Sequence, residues 1–249
     1  MINTDGNRQS EPDSSALFRE SIRTLRTNLL LQSGKQANCF VVTSAGPREG
    51  KSTLAVNLAC SLASLDKSVL LIDADLRKPN LHSMLGVPNQ QGFSELLRGS
   101  DLGAVQQRVR KNLTLITSGR VPADPQQLLD SERLACAMSL LKDRFDFTIL
   151  DSAPLLAVAD TPLLAAQTHG AILVLRYGVS REKEALLAKQ RLETAGAPVV
   201  GCVLNGFDSS SSVSMYPYAK QYSSPHVAEP LVKKAAAGSV LLGIREGGS

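Results

Sequence analysis

The chain has 249 residues, 43% hydrophobic and 20% charged, which is enough for one large α/β domain or two small ones and excludes a disordered protein. Lys and Arg outnumber Asp and Glu by 27 to 23, a net charge of +4 that is too small to argue for nucleic acid as a partner. The four cysteines, Cys39, Cys60, Cys136 and Cys202, stand far apart with no histidine at metal-ligand spacing, and read as buried thiols of a reducing compartment.

Residues 1–15 are polar and acidic, lack the cationic-then-apolar order of a signal peptide, and are expected to form a flexible tail. From Ala16 to Leu31, apolar Leu17, Ile22, Leu25, Leu29 and Leu30 recur at helical spacing, which predicts an amphipathic helix. Short apolar runs follow at Cys39–Val42, Ser68–Ile72, Leu113–Thr117, Phe147–Leu150, Ala171–Leu175 and Val199–Leu204. Their near-continuous Val, Ile and Leu content predicts strands buried on both faces of a parallel sheet. Helices are predicted between them at about 51–65, 131–142, 159–168 and 181–195. This alternation implies a doubly wound, mostly parallel α/β sheet with helices on both faces, its ligand outside the carboxyl ends of the strands. The uncharged apolar stretch Thr161–Leu175 is broken by Pro162 and Gly170 and is shorter than the roughly 20 residues of a spanning helix. From Phe207 the composition turns to Ser, Tyr, Pro and Lys, so the domain is expected over 16–206 and a flexible, tyrosine-containing tail over 207–249. Val240–Ile244 is left open between a weak strand and a short helix.

The first chemical motif is Ala45-Gly46-Pro47-Arg48-Glu49-Gly50-Lys51-Ser52-Thr53, directly after the first strand and before a helix. It reads as [AG]-x-x-x-x-G-K-[ST], a Walker A loop of the P-loop NTPase type with Ala45 in the first small position. Consecutive backbone amides at a helix N-terminus close around phosphate oxygens, Gly50 permits the approach, Lys51 adds a positive charge, and the Ser52 hydroxyl is suited to Mg²⁺. Two further strands end in acid, at Asp73-Ala74-Asp75-Leu76-Arg77 and at Asp151-Ser152-Ala153-Pro154. In a parallel sheet both ends share the edge that carries the loop. An acid there is expensive to desolvate unless it meets a cation. Asp151 therefore fits a Walker B acid that positions the metal, whereas the plainer alternative, that each Asp caps the next turn, holds less well for three acids beside one loop.

Together the loop, the h-h-h-D-x-D-x-R segment and the h-h-h-h-D-x-x-P segment resemble the bacterial tyrosine kinases of capsule and exopolysaccharide synthesis. The resemblance spans roughly residues 14–224. It extends to Glu20, Arg23 and Arg26, an E-x-x-R-x-x-R pattern that the family uses for subunit contact, and to the cluster Tyr216, Tyr218 and Tyr222, which holds three of the four tyrosines. The related partitioning and septum-placing ATPases share the fold but carry an extra lysine near the start of the loop, where this chain has Gly46.

The resemblance implies an ATP-dependent, Mg²⁺-dependent protein-tyrosine autokinase that acts between subunits and regulates polysaccharide polymerisation or export. By the same resemblance Asp73 is expected to accept the tyrosine proton and Asp75 to support the metal or orient the hydroxyl, with the division between them open; Lys51, Ser52 and Asp151 would serve phosphate and metal. Tyr216, Tyr218 and Tyr222 would be the acceptors, though exposed rings can also merely dock a tail. Asn205 is expected to end the last strand near the base and fits adenine better than guanine, since Asn205-Gly206-Phe207-Asp208 lacks the lysine of an N-K-x-D motif. A membrane-spanning activator is the expected partner, either a separate protein or another part of the same chain, at the inner face of the bacterial membrane. The rivals are a positioning ATPase and a nucleotide-gated adaptor of a membrane protein.

Overall fold

Where a strand carries Val, Ile or Leu at nearly every position, both of its faces must be covered, and that requirement organises the chain. The computed structural model describes residues 14–32, 38–129, 131–141, 144–207 and 239–243. Eight strands form one sheet: β1 (Asn38–Ser44), β2 (Val69–Asp73), β3 (Gln106–Arg110), β4 (Leu113–Ile116), β5 (Phe147–Asp151), β6 (Gly170–Arg176), β7 (Val199–Phe207) and β8 (Ser239–Gly243), in the order β3-β4-β2-β5-β1-β6-β7-β8. The six strands from β4 to β7 are parallel and coincide with the six apolar runs. The two outermost strands are antiparallel to their neighbours.

The main helices are α1 (Ser14–Gln32), α2 (Lys51–Ala63), α7 (Ser131–Leu141), α8 (Asp160–Ala166) and α9 (Glu182–Thr194), each within two residues of its predicted bounds. Four short helices were not anticipated: α3 (Leu81–Leu85), α4 (Phe93–Leu97), α5 (Leu102–Val105) and α6 (Pro125–Leu128). Each is too short to display a helical period. Their starts carry local signals, since Asp101 and Asp124 accept hydrogen bonds from backbone amides at the first turns of α5 and α6, and Pro125 opens α6.

Alternate residues of each strand face opposite layers. Val41, Leu70, Ile72, Leu150 and Leu173 pack with α4, α7, α8 and α9, whereas Phe40, Val42, Leu71, Ile149 and Val174 pack with α1 and α2. Burying one such side chain stabilises the fold by about 1.5–3 kcal/mol, so the two layers together hold the strand ends in fixed register. Strand β1 lies between β5 and β6, with β2 beyond β5. The connection after β1 leads to one side and that after β5 to the other, and a crevice opens at such a switch. Residues after β1, β2 and β5 therefore share one edge. Strand β7 continues through Phe207, and Ser239–Gly243 form a strand, which decides between the alternatives left for Val240–Ile244 and puts these ends of the expected 207–249 tail in the sheet.

Candidate active site

The loop between β1 and α2 is shaped by its backbone. Arg48 has φ 62° and Gly50 φ 100°, and this change of hand between neighbouring residues turns successive amides toward one concavity. Pro47 and Arg48 are exposed at its tip; Ala45 and Glu49 are buried beneath it. Ser44 donates its hydroxyl proton to the Gly46 carbonyl at 2.7 Å. The Glu49 carboxylate accepts from the Gly46 amide at 2.9 Å and from the Ser180 hydroxyl. Ser180 also accepts from the Arg176 amide at 2.7 Å, and the Arg176 guanidinium donates to the Arg48 carbonyl at 3.0 Å. This clamp from the end of β6 had no signal in the sequence, because Arg176-Tyr177-Gly178-Val179-Ser180 matches no phosphate motif.

Asn205 faces the same loop, its side-chain amide donating to the Glu49 carbonyl at 3.0 Å. It does not end its strand, as the sequence reading had it, because β7 runs two residues further. Its amide nitrogen is so close to Gly50 that a Cβ there would lie 2.0 Å away.

Lys51, the first residue of α2, brings its Nζ 3.5 Å from Asp75 Oδ2, 4.0 Å from Asp151 Oδ1 and 3.4 Å from Ser52 Oγ. Asp73 and Asp151 are register partners across β2 and β5. Asp73 Oδ2 accepts from the amides of Asn80 and Leu81 at 3.0 and 2.9 Å. The three carboxylates and the lysine thus gather at one edge, as the sequence predicts. The structure also separates the acids: Asp75 and Asp151 meet Lys51, whereas Asp73 has one oxygen committed to the start of α3.

Two buried oxygens, Asp73 Oδ1 and Asp151 Oδ1, have no hydrogen-bond partner. Burial pushes the Asp73 carboxyl above its ordinary range, helped by the Asp151 charge and opposed by the Leu81 and Asn80 amides. Asp151 is raised by burial too, against the pull of Lys51 and the Ser52 hydroxyl. Desolvating an ion costs several kcal/mol, and a cation about 4 Å away returns about 4 kcal/mol at an effective dielectric near 20. One lysine therefore leaves three buried acids undercompensated, and a divalent cation fits the deficit. Among the described residues no three Asp, Glu, His or Cys side chains stand closely enough to hold a metal ion by themselves, so such an ion would complete its shell with phosphate and water.

Because both acids hold protons to higher pH in the fold than in the unfolded chain, the ligand-free protein loses stability as pH rises from about 4 through the raised values. Its urea midpoint is expected to be higher at pH 5 than at pH 8. Asp73→Asn should flatten that difference and add on the order of 1–3 kcal/mol at pH 8; a lower midpoint at pH 8 would contradict this assignment.

On the helical face of α1, Arg23 pairs with Glu20 at 3.0 Å, while Arg26 turns inward to the carbonyl and hydroxyl of Ser61 on α2, both at 3.2 Å. Tyr216, Tyr218 and Tyr222 lie outside the described residues. Among the described residues no helix is long and apolar enough to cross a membrane.

Residues 49–175 match the AAA domain family. The chain is 39% identical over 206 residues to the tyrosine-protein kinase YwqD of Bacillus subtilis (strain 168), covering 79% of this chain and 84% of that one. It is 37% identical to the tyrosine-protein kinase etk of Escherichia coli (strain K12), of which it covers 28%. The solved kinase domain of Escherichia coli ETK superposes with a TM-score of 0.74 at 36% identity, over 79% of this chain and 78% of that one. The septum site-determining protein MinD of Pyrococcus horikoshii OT3, complexed with Mg-ADP, reaches 0.61 at 24% identity over 74% and 76%, a likeness of fold alone. This is the fold of P-loop nucleotide-binding proteins. An identity of 39% along most of YwqD goes well beyond a shared fold, and the chain belongs to the bacterial tyrosine-protein kinases.

Proposed function

We propose that the chain transfers the γ-phosphoryl group of ATP to Tyr216, Tyr218 and Tyr222 of another subunit, and thereby regulates polysaccharide polymerisation or export. The carrying observation is the convergence of Lys51 on Asp75 and Asp151 at 3.5 and 4.0 Å, beside the unpartnered Asp73 Oδ1. Phosphoryl transfer needs alignment and charge neutralisation more than covalent help. Amides of the loop from Ala45 to Thr53 would hold the phosphates, and Lys51 would draw charge from the β and γ oxygens. Mg²⁺ held with Ser52, Asp75 and Asp151 would neutralise the transferring group. The tyrosine oxygen forms its bond to γ-phosphorus as the bond to the β-phosphate oxygen breaks, and the phenolic proton passes to Asp73, leaving ADP and phosphotyrosine. A carboxylate whose proton affinity is raised toward neutrality is a better acceptor than an ordinary one. Asn205, beside the loop, would border an adenine.

The likeness to MinD adds nothing for a positioning ATPase beyond the fold. A transfer in trans has a direct test. Lys51→Met protein is mixed with protein carrying Tyr216→Phe, Tyr218→Phe and Tyr222→Phe, then given ATP labelled at the γ-phosphate. Label mapping to the three tyrosines of the Lys51→Met chain is expected; label on neither chain, with phosphate released, would give the rival its support.

Subunit contact would run through the α1 face that carries Glu20 and Arg23, with Arg26 bonded instead to Ser61 of α2, and the membrane-spanning activator would hold the kinase at the inner face of the membrane. No role for nucleic acid is proposed. Arg23→Glu is expected to shift sedimentation toward the monomer with ATP affinity changed less than about twofold, since an exposed ion pair contributes under about 1 kcal/mol within one chain. Unchanged sedimentation would remove this face from the interface.

A further inference from the structure

Arg77, the arginine that closes the acidic segment after β2, takes no part in the chemistry above, yet it is firmly fastened. Its Nε donates to Asp160 Oδ2 at 2.7 Å and a terminal nitrogen donates to Asp160 Oδ1 at 3.2 Å. Asp160, the first residue of α8, is 4% exposed, whereas the Arg77 side chain is 40% exposed. This fork-on-carboxylate geometry fixes direction as well as distance.

The backbone of the same turn holds Asp75. Asp75 Oδ1 accepts from the amides of Arg77 and Lys78 at 3.2 and 2.9 Å, while its Oδ2 faces Lys51 at 3.5 Å. One carboxylate therefore has one oxygen on the turn and the other in the site. Further along, Asp73 binds the amides of Asn80 and Leu81, so the segment from Asp75 to Leu81 is held to the two acids near both of its ends. Midway, Arg77 ties it to the helix that follows Asp151. The Ala74 amide donates to the Asp151 carbonyl at 2.8 Å, and Thr161, next to Asp160, donates to the Ala153 carbonyl at 2.9 Å. The two acid-bearing connections are thus cross-linked by a pair whose hydrogen bonds are separate from the contacts of Lys51 with Asp75 and Asp151.

We propose that Asp160 is a positioning residue: its bidentate pair with Arg77 sets the turn from Asp75 to Lys78, so that Asp75 keeps one oxygen on the turn amides and presents the other to Lys51 and the metal. The inference rests on the proposed metal role of Asp75. A displacement of about 1 Å in a catalytic group lowers rates by about 100-fold, so a remote pair that prevents it has a large lever. The competing idea is that the pair merely staples α8 to the sheet.

Asp160→Asn separates the two. Three readouts are taken: the rate of autophosphorylation, the affinity for ADP with and without Mg²⁺, and hydrogen exchange of the Lys78 amide in ligand-free protein. Positioning predicts a rate lower by about 10- to 100-fold. ADP affinity without Mg²⁺ stays within about twofold, and most of the gain that Mg²⁺ gives the wild type is lost. The Lys78 amide exchanges at least about tenfold faster while the Leu54 amide in α2 is unchanged, since only the turn has loosened. Asp160→Glu restores the fork and much of the rate. In an Asp75→Asn background, Asp160→Asn lowers the rate by less than about twofold, because the two act in series. Equal loss of ADP affinity with and without Mg²⁺, unchanged exchange at Lys78, or additive losses would each overturn the proposal. Should Asp160→Asn fail to fold, Arg77→Lys keeps the charge and breaks the fork, and the same readouts decide. A wild-type protein that labels no tyrosine would sink the kinase reading, while Mg²⁺-dependent ADP affinity and Lys78 exchange would still judge Asp160.

Discussion

Replacing Lys51 with Met is expected to lower tyrosine phosphorylation by about 100- to 1,000-fold, the range observed when one preorganised charge stabiliser is removed from a transition state. Met nearly preserves the volume of the side chain, so α2 and its layer should persist. What disappears is the positive charge that stands 3.5 Å from Asp75 and 4.0 Å from Asp151. Its loss acts twice. The β and γ oxygens lose a partner, and Asp151, already raised by burial, loses the charge that holds its proton affinity down. Asp151 then keeps its proton to still higher pH, so Mg²⁺ must compete with a proton there as well. Initial rates of label incorporation, measured beside ADP affinity and a circular dichroism spectrum, check this. A folded Lys51→Met protein retaining more than a tenth of the rate would remove the lysine from the mechanism.

Gly50→Ala should be the most damaging small change in the loop. At φ 100° an alanine is strained by about 1–3 kcal/mol. Its Cβ would also fall 2.0 Å from the Asn205 amide nitrogen, displacing the hydrogen bond to the Glu49 carbonyl. Together these are expected to lower the melting temperature by roughly 4–10 °C, at about 2–4 °C per kcal/mol for a domain of this size. Nucleotide affinity should fall by at least about tenfold, since the loop amides lose their common direction. The double variant Gly50→Ala/Asn205→Ala distinguishes the two causes. Removing the clash recovers part of the melting temperature, whereas the strained backbone keeps binding weak. Recovery of both to wild-type values would leave no role for the positive φ.

The parts of the fold that were legible are those whose burial is written in every residue. A strand such as Val69–Asp73, buried at all five positions, announces itself by composition. Gln106–Arg110 does not: this edge strand is partly exposed along its length, carries two arginines, and exists because β4 offers it a free edge. The loop and the three acids could be found because each stands at the end of a readable strand, and topology then brings them together. Glu49 with Ser180, and Arg77 with Asp160, could not. These partners are separated by 131 and 83 positions, and neither member of a pair announces the other. Asp160 before Thr161 and Pro162 reads only as a helix start. Arg26 belongs to the same class, since its spacing points to an outer face while the structure sends its guanidinium to Ser61.

Strand β8 fixes where the chain beyond Phe207 comes back to the sheet. Because Phe207 and Ser239 are register partners in β7 and β8, the intervening chain leaves the sheet and returns to it at one place. The proposed acceptors Tyr216, Tyr218 and Tyr222 thus fall in sequence between two positions that the sheet holds together. Tyr222 is fifteen residues past Phe207, and at about 3.5 Å per residue that arm reaches no farther than about 50 Å. Any catalytic edge that Tyr222 serves must lie inside that radius, which sets a ceiling on the spacing of neighbours in a working assembly.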